Sequence, residues 1–124
     1  MIKNILLVGI GGGIGSIARY LCQRWFASNY MTAFPWGTFT VNIVGCLLIG
    51  IFWGLSFKSF DTNESWKLFL MTGLCGGFTT FSAYSLEGIG LLKEQKLGLF
   101  FTYVAASVVL GLLATYAGMK ITNN

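Results

Sequence analysis

Four long apolar runs divide this chain of 124 residues, and the segments between them are too short to form a soluble domain. A membrane-spanning helix needs about 20 mostly apolar residues, and each run reaches that length. The sequence therefore predicts an all-α membrane protein in which residues 1–124 form a single four-helix transmembrane domain. The predicted spans cover approximately residues 5–26, 36–57, 66–92 and 97–119.

The composition excludes most soluble functions. Charged residues make up 10% of the chain, whereas about 25% is usual in soluble domains. The net charge of +4 is spread along the chain and does not form a nucleic-acid-binding patch. The chain has no histidine, the commonest metal ligand and general base, so we expect no enzyme. The three cysteines, interpreted as small buried hydrophobic residues, are Cys22, Cys46 and Cys75.

Basic residues are nearly balanced between the two ends of the predicted helices. The positive-inside rule therefore assigns almost no orientation. Two explanations of this balance are open. A short chain contains few basic residues, so the rule carries little statistical weight; alternatively, the chain inserts in both orientations and pairs as an antiparallel dimer. We expect a dimer under either interpretation, because four helices alone enclose little volume. The basic residues are Lys3, Lys58, Lys67 and Lys120 on one side, and Arg24, Lys93 and Lys96 on the other, with Arg19 deeper in the first run.

Glycine is abundant, with 17 residues, and most glycines lie within the apolar runs. In lipid, small residues let helix backbones approach closely enough for dispersion contacts to hold them together. We therefore interpret most of these glycines as packing residues, including the pair Gly50 and Gly54.

Polar side chains inside the runs are candidate functional residues, because lipid makes them costly. Thr38 and Asn42 lie one turn apart in the second run. The Asn42 amide either joins two helices or donates to an anion in a pathway, and the residue alone favours the first interpretation. Tyr103 and Ser107 lie one turn apart in the fourth run. The Arg19 side chain either extends to the membrane interface or, in a conducting protein, raises the local anion concentration at the mouth of the pathway.

The third run carries a predicted interruption in the middle of its span. Residues 76–85 place two helix-weakening glycines ahead of a hydroxyl-rich stretch. A break there frees backbone carbonyl groups at mid-depth, and such groups could hold a monovalent cation at a two-fold axis. Phe81 and Tyr84 share one face, where their ring edges offer a weak anion contact. Glu87 is an acid near the end of this run.

Three motifs together resemble the Fluc/CrcB fluoride channel family. They are GGGIG-x-x-ARY at residues 11–20, PWGTF-x-VN-x-x-G at residues 35–45 and GGFTTFS at residues 76–82. The resemblance covers all four runs in order. It implies a passive fluoride-selective channel that exports cytoplasmic fluoride across the cell membrane. It also implies a dual-topology antiparallel homodimer with two pores and a central structural sodium ion.

The same resemblance assigns the candidate site residues. Asn42 corresponds to the pore asparagine, Phe81 to the first phenylalanine of an aromatic pair, and Arg19 to an arginine near the pore vestibule. Gly76 and Thr79 correspond to the backbone carbonyl donors of the sodium site. The remaining candidate pore residues are Thr38, Ser82, Tyr84, Glu87, Tyr103 and Ser107.

Two positions depart from the family pattern, and two other functions compete with it. Ala83 stands where threonine is common, and Tyr84 stands where the second phenylalanine is expected. The added hydroxyl could hold fluoride more tightly, or mark a subunit that pairs with a paralogue. A small four-helix multidrug/proton antiporter would need an acid in the first helix, which has none. An assembly subunit of a larger complex would not need the hydroxyl-rich interruption, so a channel with fluoride, lipid and a second subunit as partners is favoured.

Overall fold

The computed structural model describes residues 1–30, 32–56 and 64–122, and every regular element in these ranges is helical. Three helices, α1, α2 and α5, are long and apolar enough to cross a membrane, which confirms three of the predicted spans. The predicted end of the second span, Phe57, and the counted charge Lys58 lie outside the described residues. The helices are α1 (Ile2–Asn29), α2 (Trp36–Ser56), α3 (residues 64–78), α4 (Phe81–Lys93) and α5 (Leu97–Thr122).

α3 combines two kinds of helix and ends in an extended segment. Its ends, Glu64–Lys67 and Gly76–Phe78, are α-helical, whereas Leu68–Cys75 between them is π-helical. Thr79 and Thr80 then adopt extended backbone, with φ/ψ of −89°/160° and −150°/117°. The two glycines of the predicted interruption are themselves helical, so the extended backbone follows them rather than includes them.

α1 and α3 pack backbone against backbone at glycines. A Cβ atom on Gly11 would lie 2.5 Å from the carbonyl oxygen of Phe69, and one on Gly15 would lie 2.8 Å from the nitrogen of Phe78. No side chain larger than hydrogen fits at these positions, which confirms both glycines as packing residues. The contacts advance in the same direction along both helices, so α1 and α3 run parallel.

α2 and α5 form a second closely packed parallel pair. Hydroxyl groups of α5 donate to main-chain carbonyls of α2: Thr115 to Cys46 at 3.1 Å, and Thr122 to Ile51 at 3.2 Å. Between these bonds, a Cβ atom on Gly50 would collide with the Thr115 carbonyl oxygen. The prediction that Gly50 is a packing residue is therefore confirmed.

A tight turn reverses the chain between α4 and α5. The N–H groups of Gln95 and Lys96 donate to the carbonyls of Leu92 and Leu91, both at 3.0 Å. This is the Schellman pattern, with Gln95 at φ 60° in the left-handed position that usually holds glycine. α4 and α5 consequently run antiparallel, which brings their facing side chains together near the turn.

The outer faces of the helices are apolar. Ile17, Leu21, Phe101 and Leu112 are among many large apolar side chains that the chain leaves exposed. A soluble monomer rarely exposes such continuous apolar surface, so these faces require lipid or another protein subunit.

Candidate functional site

Asn42 of α2 binds the extended backbone between α3 and α4. Its Oδ1 accepts from the N–H of Thr80 at 2.8 Å, and its Nδ2 donates to the Thr80 carbonyl at 3.1 Å. In a continuous helix, the Thr80 N–H would donate to the carbonyl of Gly76. The amide side chain replaces that bond and satisfies both polar groups of one residue, so Asn42 stabilises the extended conformation.

Thr80 serves the start of α4 with its own side chain. Its Oγ1 accepts from the N–H of Ala83 at 3.1 Å, which is a standard helix N-cap. The Ala83 N–H would otherwise pair with the carbonyl of Thr79 in a continuous helix. The carbonyls of Gly76 and Thr79 are the predicted cation ligands. The N–H groups that would bond to them in a continuous helix instead bond to the side chains of Asn42 and Thr80.

Arg19 of α1 binds the carboxyl end of α3. Its Nε donates to the carbonyl oxygen of Gly77 at 3.0 Å. In a continuous helix this carbonyl would receive the N–H of Phe81, and a cation at a helix carboxyl end is also favoured by the helix dipole. The Arg19 guanidinium thus pairs with the backbone of another helix, a contact that neither sequence-based interpretation of this residue included.

A cavity of about 360 Å³ lies beside the extended segment and collects six of the predicted site residues. Among the described residues, the Oγ of Ser107 is a buried side-chain polar atom without a hydrogen-bond partner, and it belongs to this cavity wall. The six residues are Asn42, Gly76, Thr79, Phe81, Tyr84 and Ser107.

The two aromatic candidates lie together, as their spacing predicts. The ring centroids of Phe81 and Tyr84 are 5.7 Å apart. Phe81 is 78% exposed, so most of its ring is not covered by the described residues of the chain. The hydroxyl of Tyr84 donates to the carbonyl of Val104 at 3.2 Å. The added hydroxyl at this position is thus bound to the backbone of α5.

A second cavity, of about 480 Å³, contains Thr38 and Glu87. The Thr38 hydroxyl accepts from Gln23 Nε2 at 3.0 Å, and a Glu87 oxygen accepts from the buried Tyr103 hydroxyl at 3.3 Å. Ser82 lies apart from both cavities on the exposed side of α4, with its hydroxyl 3.2 Å from that of Thr80. Most candidate residues therefore divide into two groups, one at each cavity, whereas Arg19, Ser82 and Tyr103 are not part of either cavity wall.

Sequence reasoning missed some members of these groups. Gln23 lies one turn after Arg19 in an otherwise apolar run, and that spacing was the available signal. Cys46 and Cys75 line the first cavity, although nothing in their spacing suggested it. The role of Thr80 depends on its main chain, for which the sequence carries no signal.

The fold and these buried polar groups define a multi-pass integral membrane protein whose intramembrane amide, hydroxyl and carbonyl groups face cavities between helices. The chain belongs to the CrcB family: the family model described as "CrcB-like protein, Camphor Resistance (CrcB)" matches residues 6–119. The resemblance stated from the motifs is thereby confirmed.

Curated relatives match over nearly the whole chain. A protein of Flavobacterium psychrophilum named "Fluoride-specific ion channel FluC" is 47% identical over 119 residues, covering 96% of each chain. A protein of the same name from Phocaeicola vulgatus is 49% identical over 117 residues, covering 94% of this chain and 96% of its own. One from Rhizobium etli is 46% identical over 116 residues, covering 94% and 93%. These matches favour a channel over the antiporter.

Proposed function

We propose that this chain is the subunit of a fluoride-selective ion channel in the cell membrane, and not an enzyme. The observation that carries the proposal is the match of nearly the whole chain, at 46–49% identity, to proteins named as fluoride-specific channels. Fluoride moves passively, driven outward by an interior-negative membrane potential worth about 2.3 kcal/mol per 100 mV.

The first cavity supplies the chemistry that a fluoride path requires. A strongly hydrated anion enters a membrane protein only where donors replace its water. Asn42 uses one of its two amide N–H groups on Thr80, which leaves the other for an anion, and Ser107 has an unpartnered hydroxyl. Phe81 and Tyr84 add ring edges, whose partial positive charge favours the same ion.

The second cavity forms one mouth of the proposed path. Thr38 and Glu87 line it, and the hydroxyl of Tyr103 positions the Glu87 carboxylate by donating a hydrogen bond to it. Ser82 adds a hydroxyl on the exposed side of α4. Arg19 acts at a distance from the ion, by holding the end of α3 and by adding positive potential.

The channel is a dual-topology homodimer of four-span subunits. α3 and α4 together supply the fourth span, interrupted at the extended segment. The near balance of basic residues allows insertion in both orientations, and the exposed Phe81 and the outer apolar faces offer the surface for a partner. Two antiparallel subunits then carry two pores, and a paralogue could take the place of one subunit.

A structural sodium ion fits the carbonyls of Gly76 and Thr79. Both carbonyls have lost their helical donors, as described above, and both residues line the first cavity. Hard cations bind oxygen, so carbonyls pointing to a two-fold axis would hold sodium between subunits. The ion would supply positive charge that stabilises four oxygens lacking hydrogen-bond donors, two from each subunit.

The decisive experiment measures flux from liposomes that contain the purified protein and potassium fluoride. Valinomycin is added and fluoride release is followed with an electrode, beside chloride-loaded liposomes. We expect rapid fluoride release with chloride retained. Absence of release from a correctly folded dimer would overturn the homodimeric channel, and co-expression with a paralogue would then separate a heterodimer from a nonconducting protein.

Orientation is tested separately. In a cysteine-free background, Lys96→Cys is exposed to a membrane-impermeant maleimide outside intact cells that have inserted the protein themselves. Dual topology predicts that about half of the sites are labelled, since half of the subunits then face each way. Complete or absent labelling after oriented insertion in cells would contradict it.

A further inference from the structure

The second cavity has an unusual lining for a membrane protein that handles an anion. It lies between the end of α1, the start of α2 and α4, and it combines one carboxylate with four aromatic side chains. The lining residues used below are Glu87, Phe26, Tyr30, Phe34 and Trp36. We propose that this cavity binds a small organic cation of the quaternary ammonium class, held by Glu87 and the aromatic rings.

The first support is the charge of Glu87. The ion pairs among the described residues are Lys67–Glu64 and Lys96–Glu94, so Glu87 has no basic side chain within 4.0 Å there. Its one hydrogen-bond donor in the described chain is the neutral hydroxyl of Tyr103. A carboxylate within a membrane protein is costly unless it is paired, and a bound cation would provide a partner for Glu87.

The second support is the arrangement of the rings. Phe26 and Tyr30 of the α1 end are stacked, with centroids 5.5 Å apart, and Phe34 and Trp36 form a second pair at 4.5 Å. Aromatic faces attract cations, most strongly those of Trp and Tyr, and this is how proteins recognise quaternary ammonium groups. Sodium and potassium hold their water more tightly and gain less from ring faces. The cavity volume of about 480 Å³ also accommodates a small organic cation.

Arg24, which follows Gln23 of the cavity wall in α1, is directed to another partner. Arg24 donates to the hydroxyl of Tyr20 on an exposed face, and it is not part of the cavity wall. The ammonium group can come from a free solute or from a choline headgroup of a lipid, since the cavity lies near the end of the membrane-spanning helices. The cation would occupy the cavity that also forms the proposed mouth of the fluoride path, and its binding is measured without ion flux, so the two proposals are tested separately.

Calorimetric titration of the protein in phosphatidylglycerol nanodiscs tests the proposal with choline and with its neutral isostere, 3,3-dimethylbutan-1-ol. We expect choline to bind at least tenfold more tightly than the alcohol, because only choline carries the charge. Glu87→Gln retains an acceptor for Tyr103 and should weaken choline binding at least tenfold. Glu94→Gln removes an acid outside the cavity and should leave binding unchanged.

The aromatic contribution has its own matched pair of variants. Tyr30→Leu should weaken choline binding severalfold, whereas Phe101→Leu, on the exposed face of α5, should not. Circular dichroism and size-exclusion chromatography of each variant separate loss of binding from loss of fold. Repeating the titration with phosphatidylcholine in the nanodisc distinguishes the source: a lost choline signal indicates a headgroup already bound, and a retained one indicates a free solute.

Three results would overturn the proposal: equal binding of choline and the alcohol, unchanged choline affinity in folded Glu87→Gln, or absence of choline binding to the wild-type protein in phosphatidylglycerol.

Discussion

Replacement of Asn42 by alanine should release the extended segment between α3 and α4. The side chain makes two hydrogen bonds, to the N–H and to the carbonyl of Thr80, and alanine can make neither. Both main-chain groups then remain without protein partners beside a cavity of about 360 Å³. We expect this segment to open far more often, while α1, α2 and α5 remain helical because their packing contacts lie elsewhere.

The magnitude follows from the two bonds. Interhelical hydrogen bonds in membrane proteins contribute about 0.6 kcal/mol each on average and about 1–2 kcal/mol in model peptides. Loss of both therefore costs about 1–4 kcal/mol. Since 1.4 kcal/mol corresponds to a factor of ten, the Thr80 amide should exchange its hydrogen roughly five- to several-hundredfold faster.

Hydrogen exchange of the Thr80 amide, followed by NMR on the reconstituted protein, measures this directly. Asn29→Ala is the matched control, because the Asn29 amide donates to the carbonyl of Trp25 on an exposed face. Asn42→Asp tests the pore role: one carboxylate oxygen still accepts the Thr80 N–H, the bond to the Thr80 carbonyl is lost, and the negative charge should abolish fluoride flux. Unchanged Thr80 exchange in Asn42→Ala would refute the stabilising role, and normal flux in Asn42→Asp would remove the residue from the pore.

Three further outcomes are expected. Phe81→Ile should stop fluoride flux in the liposome assay without unfolding the dimer, because it removes the ring edge but keeps an apolar side chain of moderate size; normal conduction would make Phe81 a packing residue. Gly50→Ala should destabilise the α2–α5 pair by about 1–3 kcal/mol in detergent unfolding, since the methyl group meets backbone, whereas Gly98→Ala has open space and should not. Arg19→Gln should reduce flux and accelerate amide exchange at the end of α3, and Arg24→Gln should do neither; equal effects would show that only net charge matters.

The long helices were predictable because their cause is local. Apolar runs of sufficient length force helix formation in lipid, where each main-chain polar group must be satisfied within its own segment. α1 still begins before and ends after the predicted span, since helical backbone continues into flanking polar residues. The pairing of Phe81 with Tyr84 was predictable for the same local reason, because the two residues lie three positions apart on one helix face.

The partners of the polar groups were not predictable from one sequence. Asn42 binds a residue 38 positions away, and Arg19 one 58 positions away, through main-chain atoms that every residue possesses. Such contacts depend on which helices pack together, and four apolar runs permit several arrangements. The π-helical segment Leu68–Cys75 was likewise not predicted, because its apolar sequence does not distinguish a π-helix from an α-helix.

Backbone contact at glycines has a mechanical consequence for the whole subunit. α1 with α3, and α2 with α5, touch through atoms that have no rotamers to adjust, so each pair is stiff. Side-chain bonds from Asn42 and Gln23 join the two pairs, and such bonds stretch and exchange partners more readily. The subunit should therefore deform most easily where the two helix pairs meet, at Thr79 and Thr80. Thermal fluctuations of the subunit should focus on those two residues, beside the cavity wall.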